Sequence, residues 1–400
     1  MFLLNAAILL RGGNGEDEEE GPAKKRQRTG GRQLLEKVPE DVLSETMVRM
    51  MTGKEAARLS GTNRWIRSVY DEIEQKRGLV NSITSETTFK LSARSTILSV
   101  ALEGRFLASG DTGGLVRVWD LNTGKELHTL RGHTEWVNSV AMDAGRVVSG
   151  SEDGTVKVWN VETGELLHTL EGHSNYVMSV AMDGSRVVSG SYDETVKVWN
   201  VETGELLHTL EGHSDVVNSV AMDGSRVVSG STDNTVKVWN VETGKLLHTL
   251  EGHSGGVKKV AMDGSRVVSG SWDSTVKVWN VETGEPLHTL HGHSPHVNSV
   301  AMYGSLVVIV DDSRETVAFW SIADASPRLL GTHSTRALYK SELRVLIFDV
   351  AMDASRLVIG FFNKIIVWEN REGALYRPPW LYKRGSPLTG SRRARRPSSA

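Results

Sequence analysis

Serine, histidine and aspartate, the side chains that together make an acyl-transfer centre, recur along this chain at fixed spacing. The sets are His133, Ser149 and Asp153; His173, Ser189 and Asp193; His213, Ser229 and Asp233; and His253, Ser269 and Asp273. In such a centre the hydroxyl attacks a carbonyl carbon, the imidazole takes its proton and the carboxylate orients the ring. Gly252-His253-Ser254-Gly255-Gly256 even fits the hydrolase pattern of glycine, any residue, serine, any residue, glycine. That pattern works on a sharp strand-to-helix turn above an α/β sheet, whereas these five residues are one copy of a Gly-His-Ser loop in a repeat of short strands. No copy of the trio is unique, so the sequence predicts no catalytic residues.

Metal chemistry is the next possibility raised by 13 histidines. Pairs such as His208 and His213 lie five residues apart in an extended segment, on opposite faces, and cannot chelate one ion. His291, His293 and His296 are the tightest group. With 0 cysteines, disulfides, thiolate zinc sites, iron–sulfur clusters and a cysteine nucleophile are excluded. No metal and no cofactor are expected. The net charge of -3 predicts no general attraction to nucleic acid or to anionic membranes.

The elements that must position these side chains are short strands. Glycine makes up 40 of 400 residues, above the ~7% of an average chain, as many tight turns require. Tryptophans at 119, 159, 199, 239, 279, 320 and 368 mark seven units, the first five in strict 40-residue register. Each unit carries apolar runs of the kind Val-Asn-Ser-Val-Ala-Met, Arg-Val-Val-Ser-Gly, Thr-Val-Lys-Val-Trp and Leu-Leu-His-Thr-Leu, separated by Asp-Gly and Thr-Gly turns. Four strands per unit is the content of a propeller blade.

Gly-His near the start of a unit and Val-Trp-Asn or Val-Trp-Asp in its third strand resemble the WD repeat. The resemblance covers 86–371 and implies an all-β seven-bladed β-propeller. It also implies that each complete histidine, serine and aspartate set joins a tryptophan (Trp159, Trp199, Trp239 or Trp279) in a structural tetrad, with hydrogen bonds running from indole to hydroxyl to imidazole to carboxylate. The first, sixth and seventh units lack members: Ala93 and Gly113 replace histidine and aspartate in the first, and Ile309 and Ile359 replace serine in the other two. Those three blades are expected to be the loosest. The last tryptophan strand lacks an outer partner, and Thr87 to Leu91 is a strand without a blade. The resemblance implies that this first strand completes the last blade and removes the open edges.

Binding specificity is expected where the copies differ. Units 172–211 and 212–251 differ at six positions, five of them Asn175/Asp215, Tyr176/Val216, Met178/Asn218, Tyr192/Thr232 and Glu194/Asn234. These flank the Gly-His loop and the Asp turn, which open on one rim in the WD architecture. Equivalent positions are Glu135, Trp136, Asn138 and Glu152 before them, and Gly255, Gly256, Lys258, Trp272, Pro295, His296 and Asn298 after. The sixth difference, Glu205/Lys245, falls on the opposite rim, where Val-Glu-Thr-Gly and Met-Asp-Gly-Ser hardly vary. Aromatic residues are the types that anchor protein interfaces, so the varying rim is read as the face that binds a target protein. Between His333 and Val350 ten extra residues, including Arg336, Tyr339 and Lys340, are expected to project from it. Rim positions hold no arginine cluster. Glu135, Glu152, Glu194 and Asp215 against Lys258 and Lys259 predict a neutral or cationic, aromatic-anchored peptide rather than a phosphorylated one.

Ahead of the repeats, apolar residues recur at three- and four-residue steps through 33–76, the pattern of a small three-helix unit. Val38, Pro39, Val42, Leu43, Met47, Met50, Leu59 and Trp65 resemble the F-box, the module that docks on the Skp-type adaptor of cullin-based ubiquitin ligases. An F-box followed by a WD propeller implies a substrate receptor that holds ligase and target together and does no chemistry itself. A WD scaffold outside any ligase is the alternative. Residues 77–85 read as a linker. The tails 1–32 and 372–400 read as disordered, the first with an acidic run and then Lys24, Lys25, Arg26 and Arg28, which resemble a nuclear-import signal. The basic C-terminal tail makes weak nucleic-acid contact a minor possibility. Met1 to Leu10 is too short to span a bilayer, no membrane association is expected, and the expected location is nucleus, cytoplasm or both.

Overall fold

A computed structural model describes residues 85–369 except 91–94, 144, 292–295, 312–315, 324–325, 335–346, 354–355 and 362–363. The helical module expected over 33–76 and both tails lie outside the described residues, as do Ala93, His293, Pro295, Arg336, Tyr339 and Lys340.

The strands form seven four-stranded antiparallel sheets. Blade three is representative: Val177–Asp183, Arg186–Ser191, Val196–Asn200 and Leu206–Leu210 follow one another from the axis outward. Blades one, two, four, five and six start at Ile97, Val137, Val217, Val257 and Val297 and repeat this order. Inner strands of successive blades adjoin all the way round, with the inner strand of blade seven, Ile347–Met352, against that of blade one, Ile97–Glu103. The architecture is a closed seven-bladed propeller, and the described residues contain no helix. Blade seven takes its outer strand, Ser85–Lys90, from the start of the chain, with Ser85 opposite Glu369 and Lys90 opposite Lys364. That strand begins two residues earlier than the expected Thr87 and ends at Lys90.

Sandwiching each sheet between two neighbours makes both of its faces apolar, which explains the consecutive valines. Val147 packs into the cluster between blades one and two, and Val148, pointing the other way, into the cluster between blades two and three. In that second cluster Val156, Val158 and Leu170 of blade two meet Val177, Val187 and Trp199 of blade three. Each such buried side chain contributes about 1.5–3 kcal/mol, so the interblade clusters carry most of the stability.

Polar ties run round the channel wall. The Oγ of Ser99 accepts from the Val140 amide at 3.2 Å, and Ser139, Ser179 and Ser219 serve Val180, Val220 and Val260 in the same way at 3.1 Å. Blade five breaks the series with Lys259 and blade seven with Asp349. These two meet at 3.1 Å, and Asp349 also accepts from Ser99 Oγ, Ser299 Oγ and the Val100 amide. One carboxylate thereby joins blades one, five, six and seven.

Candidate functional site

Each complete set of histidine, serine, aspartate and tryptophan forms a continuous chain inside its blade. In blade two Trp159 Nε1 donates to Ser149 Oγ at 2.9 Å, His133 Nε2 meets that hydroxyl at 2.8 Å, and His133 Nδ1 meets Asp153 Oδ2 at 2.7 Å. Blades three, four and five repeat these links within 0.1 Å. Burial alone would raise the Asp153 carboxyl. Hydrogen bonds from His133 and Thr155 outweigh it and hold the group well below the usual carboxylate range, and Asp193 and Asp233 behave alike. Asp273, subject to the same opposition, is held to about 2. Burial depresses His253, so its ring is neutral at neutral pH. With the Asp273 carboxylate ionised, His253 Nδ1 donates to it, Nε2 accepts the Ser269 O–H, and the serine oxygen accepts the Trp279 indole N–H. The serine proton is turned inward and its oxygen is buried, an arrangement that ties strands together and presents no nucleophile.

The aspartates also build the loops. Asp153 Oδ1 accepts from the amide and hydroxyl of Thr155, Oδ2 accepts from the Thr134 amide, and the Glu152 amide donates to Trp136 O at 2.9 Å. The tetrad thus clamps the Gly-His loop to the Asp turn, and the same backbone bond links Tyr192 to Tyr176, Thr232 to Val216 and Trp272 to Gly256. Blades two to five present this clamped pair of positions on the rim, filled differently each time.

The pairs are matched in size. Tyr176 and Tyr192 stand edge to face with ring centroids 6.1 Å apart. In blade five the Trp272 ring lies against Gly256, where a Cβ would come within 2.9 Å of Cε3, so glycine there makes room for the indole. Trp136, Tyr176, Tyr192 and Trp272 are 47, 46, 50 and 42% exposed. Among the described residues the other exposed aromatic is Tyr303, at the end of an inner strand on the opposite rim.

Several residues expected on this face have other work. Val216, at 9% exposure, is buried and offers little contact surface, although Trp136 and Tyr176 at the equivalent position are exposed. Asn138, Asn218 and Asn298 are half-buried at the strand bulge and donate to Val177 O, Val257 O and Phe348 O of the next blade. Met178 takes a contact from Asn138, and Thr232 accepts from Asn218 at 2.9 Å. Lys258 is half-buried, and His296 is exposed with Nδ1 bonded to Trp272 O. Glu135, Glu152, Asn175 and Asp215 remain at least partly open to solvent.

The constancy of the opposite rim has a structural cause. Asn160 Oδ1 caps the amides of Glu162 and Thr163, and Gly164, at φ 74°, sits where a Cβ would come within 2.8 Å of His128 Nδ1. His128, His168, His208 and His248 each bond the loop of the following blade, and Arg186 reaches Glu242 at 2.6 Å. Those histidines are committed to interblade ties, and no group suited to a metal ion occurs among the described residues.

Lys259, expected as a cation of the rim, instead lies on an inner strand and pairs with Asp349, which the sequence reading left out. Their signal was available: the register 99, 139, 179, 219, 259, 299 and 349 reads serine except at these two positions. Four windows, 124–160, 164–200, 204–240 and 244–280, match the family model of the WD domain, G-beta repeat. These segments are WD40 repeats. Each window contains one complete tetrad, from blades two to five. Over 46 residues, 11% of this chain and 3% of the relative, it is 52% identical to an uncharacterized WD repeat-containing protein of Nostoc sp.. Over 36 residues, 9% of this chain and 5% of the relative, it is 53% identical to "Probable serine/threonine-protein kinase PkwA" of Thermomonospora curvata. The chain therefore spans a small fraction of either relative, about one repeat, and the likeness reaches the blade rather than the whole protein.

Proposed function

We propose that this chain is a non-catalytic recognition subunit whose propeller holds a target protein on the rim of Gly-His loops and Asp turns. The observation that carries this reading is the placement of exposed aromatics: four of five among the described residues lie at the clamped loop pairs of one rim. Ringed by polar groups and fixed by backbone hydrogen bonds, such side chains add contact area with little ordering cost. In the finer form of the proposal, the segment from Val38 to Trp65 docks on a Skp-type adaptor and the chain is the substrate receptor of a cullin-based ubiquitin ligase. Its support is the F-box resemblance of that segment.

Two measurements separate the parts. Calorimetric titration of a purified Skp-type adaptor into the full chain is expected to show binding that a Pro39→Ala, Leu43→Ala double variant abolishes; no binding leaves a WD scaffold. Target proteins recovered by the wild type are expected to be lost by Trp136→Ala with Tyr192→Ala and kept by Glu205→Lys, which copies the blade-four residue Lys245 onto the opposite rim. Loss in the last variant alone would place the target on the other rim.

A further inference from the structure

We propose that the sector of the rim spanning blades two to four recognises a peptide presenting arginine or lysine, the cation lying against tyrosine and tryptophan faces and between carboxylates. The inference rests on the rim reading above and narrows it to one sector and one ligand class.

Charge separates this sector from its neighbour. Glu135, Glu152, Glu171, Glu194, Glu211 and Asp215 lie on its loops, all at least partly exposed, against the single exposed cation Arg131. The nearby lysines do not offset them at the surface: Lys157, Lys197 and Lys237 are buried, their ammonium groups donating to Thr169, Thr209 and Thr249. In blade five the same loops carry Glu251 but also Gly255, Gly256 and Lys258, with Ser274 in place of Glu194. Aromatic and acidic groups therefore coincide in blades two and three. A guanidinium or ammonium is attracted both to the negative face of an aromatic ring and to carboxylates, whereas a phosphate would meet repulsion here.

Backbone conformation fixes where the Glu194 carboxylate stands. The turn after each tetrad aspartate needs a left-handed residue, and blades two, four and five supply Gly154 at φ 79°, Asn234 at φ 72° and Ser274 at φ 68°. Blade three, which carries the tyrosine pair, places Glu194 there at φ 68°. A glutamate is disfavoured in that region, and its amide bond to Ser191 O at 3.2 Å is the one that Gly154 and Asn234 also make.

The test is selection of a phage-displayed library of random linear peptides on the immobilised full chain. Recovered peptides are expected to be enriched in arginine and lysine and depleted in aspartate and glutamate. Their affinity is expected to fall about tenfold in a Glu135→Gln, Glu152→Gln, Glu194→Gln variant and to weaken with added salt. Glu194→Gly, which relieves the turn, is expected to keep the fold at least as stable and still bind more weakly. Peptides without a basic residue that are lost on Tyr176→Ala with Tyr192→Ala would overturn the cation inference and leave the rim reading standing. Binding indifferent to every rim substitution, or no recovered binder, would overturn both.

Discussion

Blades one and three solve the same problem with different residues. In blade three the turn is held by Asp193, oriented by His173, with Ser189 linking that histidine to Trp199. Blade one has alanine and glycine at the histidine and aspartate positions, and a carboxylate two residues earlier takes over. Asp111 Oδ1 accepts from the amides of Gly113 and Leu115, while Oδ2 accepts from Ser95 and from Arg117 at 2.5 Å. The cost shows at Ser109, equivalent to Ser189, whose buried Oγ has no hydrogen-bond partner. In blades six and seven Ile309 and Ile359 replace the serine and join the interblade apolar clusters. A turn can thus be organised by a hydrogen-bonded relay or by an ion pair, and only the relay recurs unchanged in four adjacent blades.

The sharpest way to break the contrast is Arg117→Ala. It strands a fully buried carboxylate, and denaturant unfolding is expected to show a loss of about 3–5 kcal/mol, the range for breaking a buried ion pair. Ser189→Ala should be costly too, because it orphans both the Trp199 indole and the His173 ring, for about 1–3 kcal/mol. The matching change Ser109→Ala should lie within about 0.5 kcal/mol of neutral or stabilise, since that hydroxyl makes no bond. Equal losses at 109 and 189 would remove the distinction between the two blades.

Acid should act on the relay blades by a predictable route. Their aspartates are ionised in the fold at pH values where unfolded carboxyls near ~3.9 already take up protons, so falling pH favours the unfolded chain. That contribution is complete above about pH 5 and is lost towards about pH 2, while the depressed His253 adds a shallower loss of the same sign as pH falls below about 6.5. Urea midpoints measured across this range should follow that course, and Asp153→Asn with Asp193→Asn should flatten the acid limb. An unaltered limb would mean that the relay carboxylates do not govern acid stability.

Much of the architecture was legible beforehand because each blade is a local unit. The tryptophan spacing counts the blades, runs such as Arg-Val-Val-Ser-Gly mark the strands, and the unpaired first strand finds its place in blade seven. What escaped the reading involves residues of different blades or an unexpected register. Val216 looked like a rim residue by position and is buried. The asparagines at 138, 218 and 298 looked free to bind a ligand and instead tie each blade to the next.

By itself the sequence determined that short strands would stack in a seven-unit ring, because the repeat encodes strand length, turn chemistry and both apolar faces within about forty residues. Only the tertiary structure decided which side chains remain available. Exposure on the rim depends on how two loops of one blade meet, as when Gly256 admits Trp272. The channel pair of Lys259 and Asp349 depends on closure, which brings residues of blades five and seven together across a distance in sequence that no single repeat spans.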